Sequence, residues 1–149
     1  MTSSFTVLKT TNAHILLVED DPEDVASTKR AFHAKGIGNP IHVAPNGKVA
    51  LDMLQGRNRP ALTPTPHIIL LDLELPEMGG IEFLKLLRQD PKLKSCSVFV
   101  MTGQNSEKNV LEAYDLNVAG YIVKPIKYDS FLEAIATLHS FWNLIELPY

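Results

Sequence analysis

Short, largely apolar runs alternate along this chain with longer segments in which apolar residues recur every three or four positions. Five such runs occupy residues 15–18, 41–44, 67–71, 97–101 and 119–123. A continuous apolar run of this length is typical of a strand that is buried on both faces, as in a parallel sheet. Five strand–helix units therefore predict an α/β domain with helices on both faces of the sheet.

The ends of the intervening helices are also marked in the sequence. Pro22 suits the first turn of a helix that Gly36 would stop, and Asn46 could cap a second helix that ends at Gly56. The last helix is predicted over residues 128–146, just before a proline.

Length and composition narrow the class of protein. A chain of 149 residues is predicted to form one domain over 1–149, with a flexible leader at 1–12 and an extension of the last helix at 139–149. The net charge of −3 gives no general attraction to nucleic acid or to anionic lipid. No apolar stretch reaches the roughly 20 residues of a spanning helix. We therefore expect a cytoplasmic protein with no nucleic-acid and no membrane partner.

Polar residues stand where four of the predicted strands end. Acidic residues occupy positions 19–21 after the first strand, Asp72 ends the third, Thr102 follows the fourth and Lys124 follows the fifth. The carboxyl ends of parallel strands form one edge of a sheet, and ligands bind outside that edge. We expect these side chains to share one pocket.

The chemistry of this set suits a divalent cation and a phosphoryl group. Asp20 and Asp72 can bind Mg²⁺, with Glu19 holding a metal-bound water. Asp72 can also attack phosphorus and form an aspartyl phosphate, while Thr102 and Lys124 can each contact a phosphoryl oxygen. Taken singly, each residue has an ordinary explanation as a helix cap, a turn residue or a solvated cation. Their coincidence at four strand ends favours a phosphorylation site.

Four motifs carry a resemblance to a known family: residues 16–21 (LLVEDD), 70–76 (LLDLELP), 101–103 (MTG) and 120–125 (GYIVKP). Together they resemble the receiver domain of two-component response regulators, over roughly residues 13–138. The resemblance implies a flavodoxin-like, doubly wound, five-stranded parallel sheet in the order 2-1-3-4-5. It also implies that a histidine kinase donates the phosphoryl group from a phosphohistidine.

By the same likeness, four residues form the phosphoacceptor and metal site. Asp72 would be the phosphoacceptor and a metal ligand, Asp20 a direct Mg²⁺ ligand, Glu19 its helper, and the backbone carbonyl of Glu74 a further ligand.

The resemblance further implies a conformational switch. Thr102 and Tyr121 would be the switch pair, and Lys124 would contact the phosphoryl group. An added charge of about −1.5 to −2 would draw the Thr102 hydroxyl inward and leave space for the Tyr121 ring. The surface formed by the fourth helix, fifth strand and fifth helix would then change, and a partner would sense it.

The sequence departs from the usual pattern of the family in three places. Gly79 stands where an acid is common, with little expected consequence because Gly80 keeps the glycine that follows. Glu74 places a carboxylate two residues beyond the phosphoacceptor, and we hypothesise that it tunes the lifetime of the phosphate. The Pro-rich loop 57–66 is longer than the family norm, and together with residues 140–142 (SFW) and 146–148 (ELP) it resembles the phytochrome-associated single-domain regulators. The resemblance implies a phytochrome-type photoreceptor kinase as partner.

The last helix carries an apolar seam from Phe131 to Ile145 at spacings of 4, 3, 4 and 3 residues. At 1.5 Å per residue this helix should extend past its own sheet, since a typical strand is only about 17–20 Å long. We predict a homodimer through the fourth helix, fifth strand and fifth helix, including Phe141, Trp142 and Ile145. The alternative is that Phe141 and Trp142 fold back onto their own domain.

Three functions remain open on the sequence alone. The first is a stand-alone receiver that signals by protein contact. The second is a magnesium-dependent aspartyl-phosphate phosphatase, in which Glu74 would act as general acid and base, although the nucleophile of those enzymes follows the first strand. The third is a receiver that binds partners without phosphorylation.

Overall fold

The computed structural model describes residues 14–34, 36, 38–75, 78–102 and 112–123. In chain order the elements are β1 (Ile15–Val18), α1 (Pro22–Ala34), β2 (Ile41–Ala44), α2 (Gly47–Gln55), β3 (Ile68–Asp72), α3 (Gly80–Gln89), β4 (Ser97–Thr102) and β5 (Gly120–Val123). The five predicted strands are confirmed, with ends that differ by at most one residue. The predicted leader, last helix and extension lie outside the described residues.

All five strands form one parallel sheet in the order β2-β1-β3-β4-β5. This confirms the fold class and the strand order that the resemblance implied. The register pairs Val18 of β1 with Leu71 of β3, and Thr102 of β4 with Val123 of β5. Asp72 of β3 pairs in turn with Met101 of β4, so these four strands end at nearly the same level, on one edge of the sheet.

Successive strand residues point to opposite faces, which divides the core into two layers. Leu16 packs in the layer that includes Phe83 of α3 and residues of α2, whereas Leu17 packs in the layer that includes Phe32 of α1. Helices therefore cover both faces, as predicted. None of the described helices is long and apolar enough to cross a membrane.

Two predicted helix boundaries are confirmed in detail. The Asn46 side chain caps α2 by accepting the amide of Val49 at 2.8 Å. Gly56 ends the same helix with a φ of 75°, a left-handed conformation that favours glycine, and its amide donates to the carbonyl of Asp52 at 2.9 Å.

Arg88, near the end of α3, binds four backbone carbonyls at the amino-terminal edge of the sheet. Its guanidinium donates to Lys94 and Cys96 before β4, and to Leu116 and Asn117 before β5, at 2.8 to 2.9 Å. The planar fork of five donors allows one side chain to reach all four acceptors. Nothing in the sequence pattern indicated this role, because an arginine in the last turn of a helix is usually a solvated cation.

We expect Arg88→Lys to lower the free energy of unfolding by about 2 kcal/mol, because a lysine ammonium cannot serve carbonyls on two separate segments at once. Urea denaturation at fixed pH would measure the change. Arg30→Lys is the matched control, since the Arg30 side chain is exposed and its hydrogen bond to Ser27 is local. Equal midpoints for the two variants would contradict the assigned role of Arg88.

Candidate functional site

Three carboxylates meet at the carboxyl edge of the sheet. One oxygen from each of Glu19, Asp20 and Asp72 lies within 4.8 Å of the other two. Glu19 and Asp72 are only 2% and 3% exposed, whereas Asp20 is exposed. The cluster therefore combines two buried acids with one that solvent can reach.

Hydrogen bonds in the segment after β1 hold Glu19 and Asp20 of the carboxylate cluster in place. The amide of Glu19 donates to the carbonyl of Ala44 at 3.0 Å, which extends the β1–β2 pairing by one residue. The Glu19 carboxylate accepts the amide of Asp21 at 3.2 Å, and the Asp21 carboxylate caps α1 by accepting the amide of Glu23 at 2.9 Å. Asp20 thus lies between two residues that are held by hydrogen bonds. Asp21 therefore has the ordinary role of an acid before a helix, which is to cap that helix.

Hydrogen bonds at the end of β3 hold Asp72, the third member of the carboxylate cluster, in place. The amide of Leu73 donates to the carbonyl of Met101 at 3.0 Å, so pairing with β4 continues past Asp72. The Asp72 carboxylate accepts the amide of Glu74 at 2.9 Å, and the amide of Gly80 donates to the carbonyl of Leu73 at 3.3 Å. These bonds hold the backbone of Glu74 beside the Asp72 carboxylate, while the Glu74 side chain is exposed.

The other predicted site residues follow from the strand register. Thr102 ends β4 one position beyond Met101, which pairs with Asp72. Tyr121 lies within β5, next to a residue of β4 two positions before Thr102. Lys124 directly follows β5 and lies outside the described residues.

The donor set of the cluster suits a hard divalent cation. All three side chains offer carboxylate oxygens, the ligands that Mg²⁺ prefers, and one or two carboxylates are its usual share of protein ligands. Zinc sites, by contrast, are built mostly from histidine and cysteine. Like charges held this close repel one another, and a bound cation would relieve that repulsion. The residues present therefore fit Mg²⁺.

Comparison with known proteins identifies the family. The family model of the response regulator receiver domain matches residues 15–136. The chain therefore belongs to the response regulator receiver domain family, whose members are signalling domains.

Among individual relatives, the chain is 32% identical over 135 residues to response regulator Rcp1 of Synechocystis sp., covering 90% of this chain and 92% of Rcp1. The phosphorylated cyanobacterial phytochrome response regulator RcpA is similar in structure, with a TM-score of 0.82, 30% identity, and coverage of 92% and 100% of the two chains. The Mn²⁺-bound form of Rcp1 gives a TM-score of 0.78 and 31% identity, with coverage of 92% and 99%.

We expect Asp20→Asn to change stability in opposite directions without and with metal. In EDTA the variant should unfold at a slightly higher temperature than the wild type, because one of three crowded charges is gone. Added Mg²⁺ should stabilise the wild type much more than the variant, with an affinity loss of tenfold or more in the variant. Thermal unfolding over a magnesium titration measures both effects.

Asp21→Asn is the matched control for this prediction. It removes the same charge from the neighbouring position, and asparagine caps a helix as well as aspartate does. Its magnesium affinity should stay within about twofold of the wild type on that argument. Equal losses of magnesium affinity in Asp20→Asn and Asp21→Asn would contradict the assignment of Asp20 to the metal site.

Proposed function

We propose that this protein is a phosphoacceptor response regulator, which receives a phosphoryl group from a histidine kinase on Asp72 with Mg²⁺ bound beside it. It then signals by protein–protein contact. The observation that carries this proposal is the carboxylate cluster, with Asp72 buried at the end of β3 in a receiver fold.

The proposed transfer is a single displacement at phosphorus. An oxygen of the Asp72 carboxylate attacks the phosphorus of a phosphohistidine, an O–P bond forms, and the P–N bond breaks with its electron pair passing to the imidazole nitrogen. The amide of Glu74, bonded to Asp72 Oδ1, holds the orientation of the attacking carboxylate. Glu19 and Asp20 would hold Mg²⁺, which supplies charge neutralisation for the phosphoryl oxygens when bound.

Three further residues complete the proposed site. Thr102 and Lys124 would each bind a phosphoryl oxygen, and Thr102 with Tyr121 would form the switch pair. The support is the family resemblance together with the strand positions of Thr102 and Tyr121. In this proposal the acquired negative charge shifts the Thr102 hydroxyl toward the phosphoryl group, and the Tyr121 ring follows.

We infer that the kinase is of the phytochrome type. The support is the similarity over about nine-tenths of the chain to Rcp1 and to RcpA, the second of which is a phytochrome response regulator. The loop 57–66 adds to this resemblance, and in the structure it packs back onto α2 through the hydrogen bond from the Leu62 amide to the Met53 carbonyl, at 2.9 Å.

The proposed signalling form is a homodimer. Its surface would include Phe141, Trp142 and Ile145, which lie outside the described residues, so the support is the apolar seam in the sequence. The phosphatase alternative has less support, because the family match covers most of the chain and Asp72 ends β3 rather than β1.

The proposed function is tested by phosphorylation with acetyl phosphate and Mg²⁺. We expect one phosphoryl group per chain by intact mass, located at position 72 by peptide mapping, and none in Asp72→Asn. Asp90→Asn is the control, since Asp90 likewise accepts a backbone amide, at 2.8 Å, but caps the far end of α3. A wild type that stays unlabelled would overturn the proposal in favour of a receiver that binds without phosphorylation. An equally labelled Asp72→Asn would overturn Asp72 as the phosphoacceptor, because the phosphoryl group would then be on another residue.

We expect Glu74→Gln to slow the loss of the phosphoryl group several-fold. The backbone amide of Glu74 is bonded to Asp72 Oδ1 and its side chain is exposed. We therefore expect the Glu74 carboxylate to accept a proton from, or orient, the attacking water. Loss of phosphoprotein after removal of the donor measures the rate. Glu82→Gln, an exposed position in the first turn of α3, is the control. Equal lifetimes in wild type and Glu74→Gln would refute the hypothesis.

A further inference from the structure

We infer that Gly80 is a positioning residue for the proposed phosphoacceptor and metal site, because the backbone that follows β3 fills the space where a side chain at position 80 would begin. The inference rests on the proposed function and concerns how the site keeps its geometry. It also gives a physical reason why the two adjacent glycines, Gly79 and Gly80, are not equivalent.

The contact is between backbone atoms. A Cβ at Gly80 would lie 2.6 Å from Leu73 Cα, 2.8 Å from the Asp72 carbonyl oxygen and 3.0 Å from Leu73 Cδ2. The first of these is roughly 1 Å short of the normal carbon–carbon contact of about 3.5–4.0 Å. Two of the three atoms belong to the main chain, so no change of rotamer can make room.

The same two residues carry the hydrogen bonds that build the site. The amide of Leu73 is bonded to the carbonyl of Met101, and Asp72 Oδ1 is bonded to the amide of Glu74. A side chain at position 80 would push Asp72 and Leu73 outward and disturb both bonds. A reactive group must be held within about 0.5 Å of its working position, so this displacement is large enough to matter.

Helix α2 also lies close to the start of α3. A Cβ at Gly47 of α2 would lie 3.1 Å from both the carbonyl oxygen of Met78 and the Cβ of Phe83. Phe83 is completely buried. The start of α3 therefore packs closely against both α2 and the end of β3, and a side chain added at Gly47 or at Gly80 would strain this junction.

The neighbouring Gly79 is different. It has a φ of −64° and a ψ of 161°, which any residue can adopt, and nothing lies within 4 Å of the position of its Cβ. A methyl group there would face open space. Gly79 thus provides a matched control one residue away in the same turn.

The test compares Gly79→Ala, Gly47→Ala and Gly80→Ala in the full chain, each checked for folding by circular dichroism. The measurements are the dissociation constant for Mg²⁺ and the initial rate of labelling by acetyl phosphate. We expect Gly79→Ala to stay within about twofold of the wild type and Gly80→Ala to lose about tenfold or more in both quantities. Gly47→Ala should fall between them, at about two- to fivefold, because its contacts are less severe.

A merely structural role for Gly80 would lower the unfolding temperature and leave the magnesium affinity of the folded protein unchanged, and that result would overturn the inference. If Gly80→Ala does not fold, the Gly47→Ala variant provides the test. Wild-type magnesium affinity in Gly47→Ala would then also overturn the inference. A wild type that binds no Mg²⁺ and takes up no phosphoryl group would instead refute the proposed function.

Discussion

The hydrogen bonds and close contacts just past β3 are the constraint on which the rest of the site depends. There the amide of Leu73 continues the pairing with β4, the amide of Glu74 turns back onto the Asp72 carboxylate, and the amide of Gly80 brings the start of α3 against the strand. Strands β3 and β4 and the start of helix α3 thus meet at Asp72 and Leu73. A buried carboxylate is tolerated when such bonds satisfy it, and the bonds simultaneously fix the direction in which it can react.

The buried apolar residues of β1 and β3 stabilise the fold, whereas the carboxylate cluster at their ends is unfavourable. The residues of β1 and the apolar residues of β3 are 0–1% exposed, and burying one large aliphatic side chain contributes about 1.5–3 kcal/mol. Two acids at the ends of those strands, Glu19 and Asp72, are buried beside each other and beside Asp20, which is unfavourable without a cation. The apolar sheet therefore stabilises the fold, while its charged edge brings like charges together at the proposed cation site.

Helix α3 connects the two edges of the sheet. Its first residue, Gly80, touches the end of β3 at the carboxyl edge. At the opposite edge Arg88, near its last turn, holds the segments that lead into β4 and β5 through four carbonyls. One helix thus contacts the end of β3 and the segments that lead into β4 and β5, so the relative level of these three strands depends on the placement of α3.

Much of this protein was determined by the sequence alone. Apolar runs predicted every strand within one residue, because burial on both faces of a parallel sheet demands continuous hydrophobicity. The clustering of acids followed from strand polarity, and the strand order from the family resemblance. Only the tertiary structure showed that Asp21 caps α1 while Asp20 joins the cluster, and that a Cβ would meet backbone atoms at Gly80 but open space at Gly79. It also gave Arg88 its role. The contacts of Arg88 with Asn117 and of Asp20 with Asp72 join segments far apart in the chain, and the packing of Gly80 on Leu73 depends on how a helix lies against its strand; local patterns encode neither.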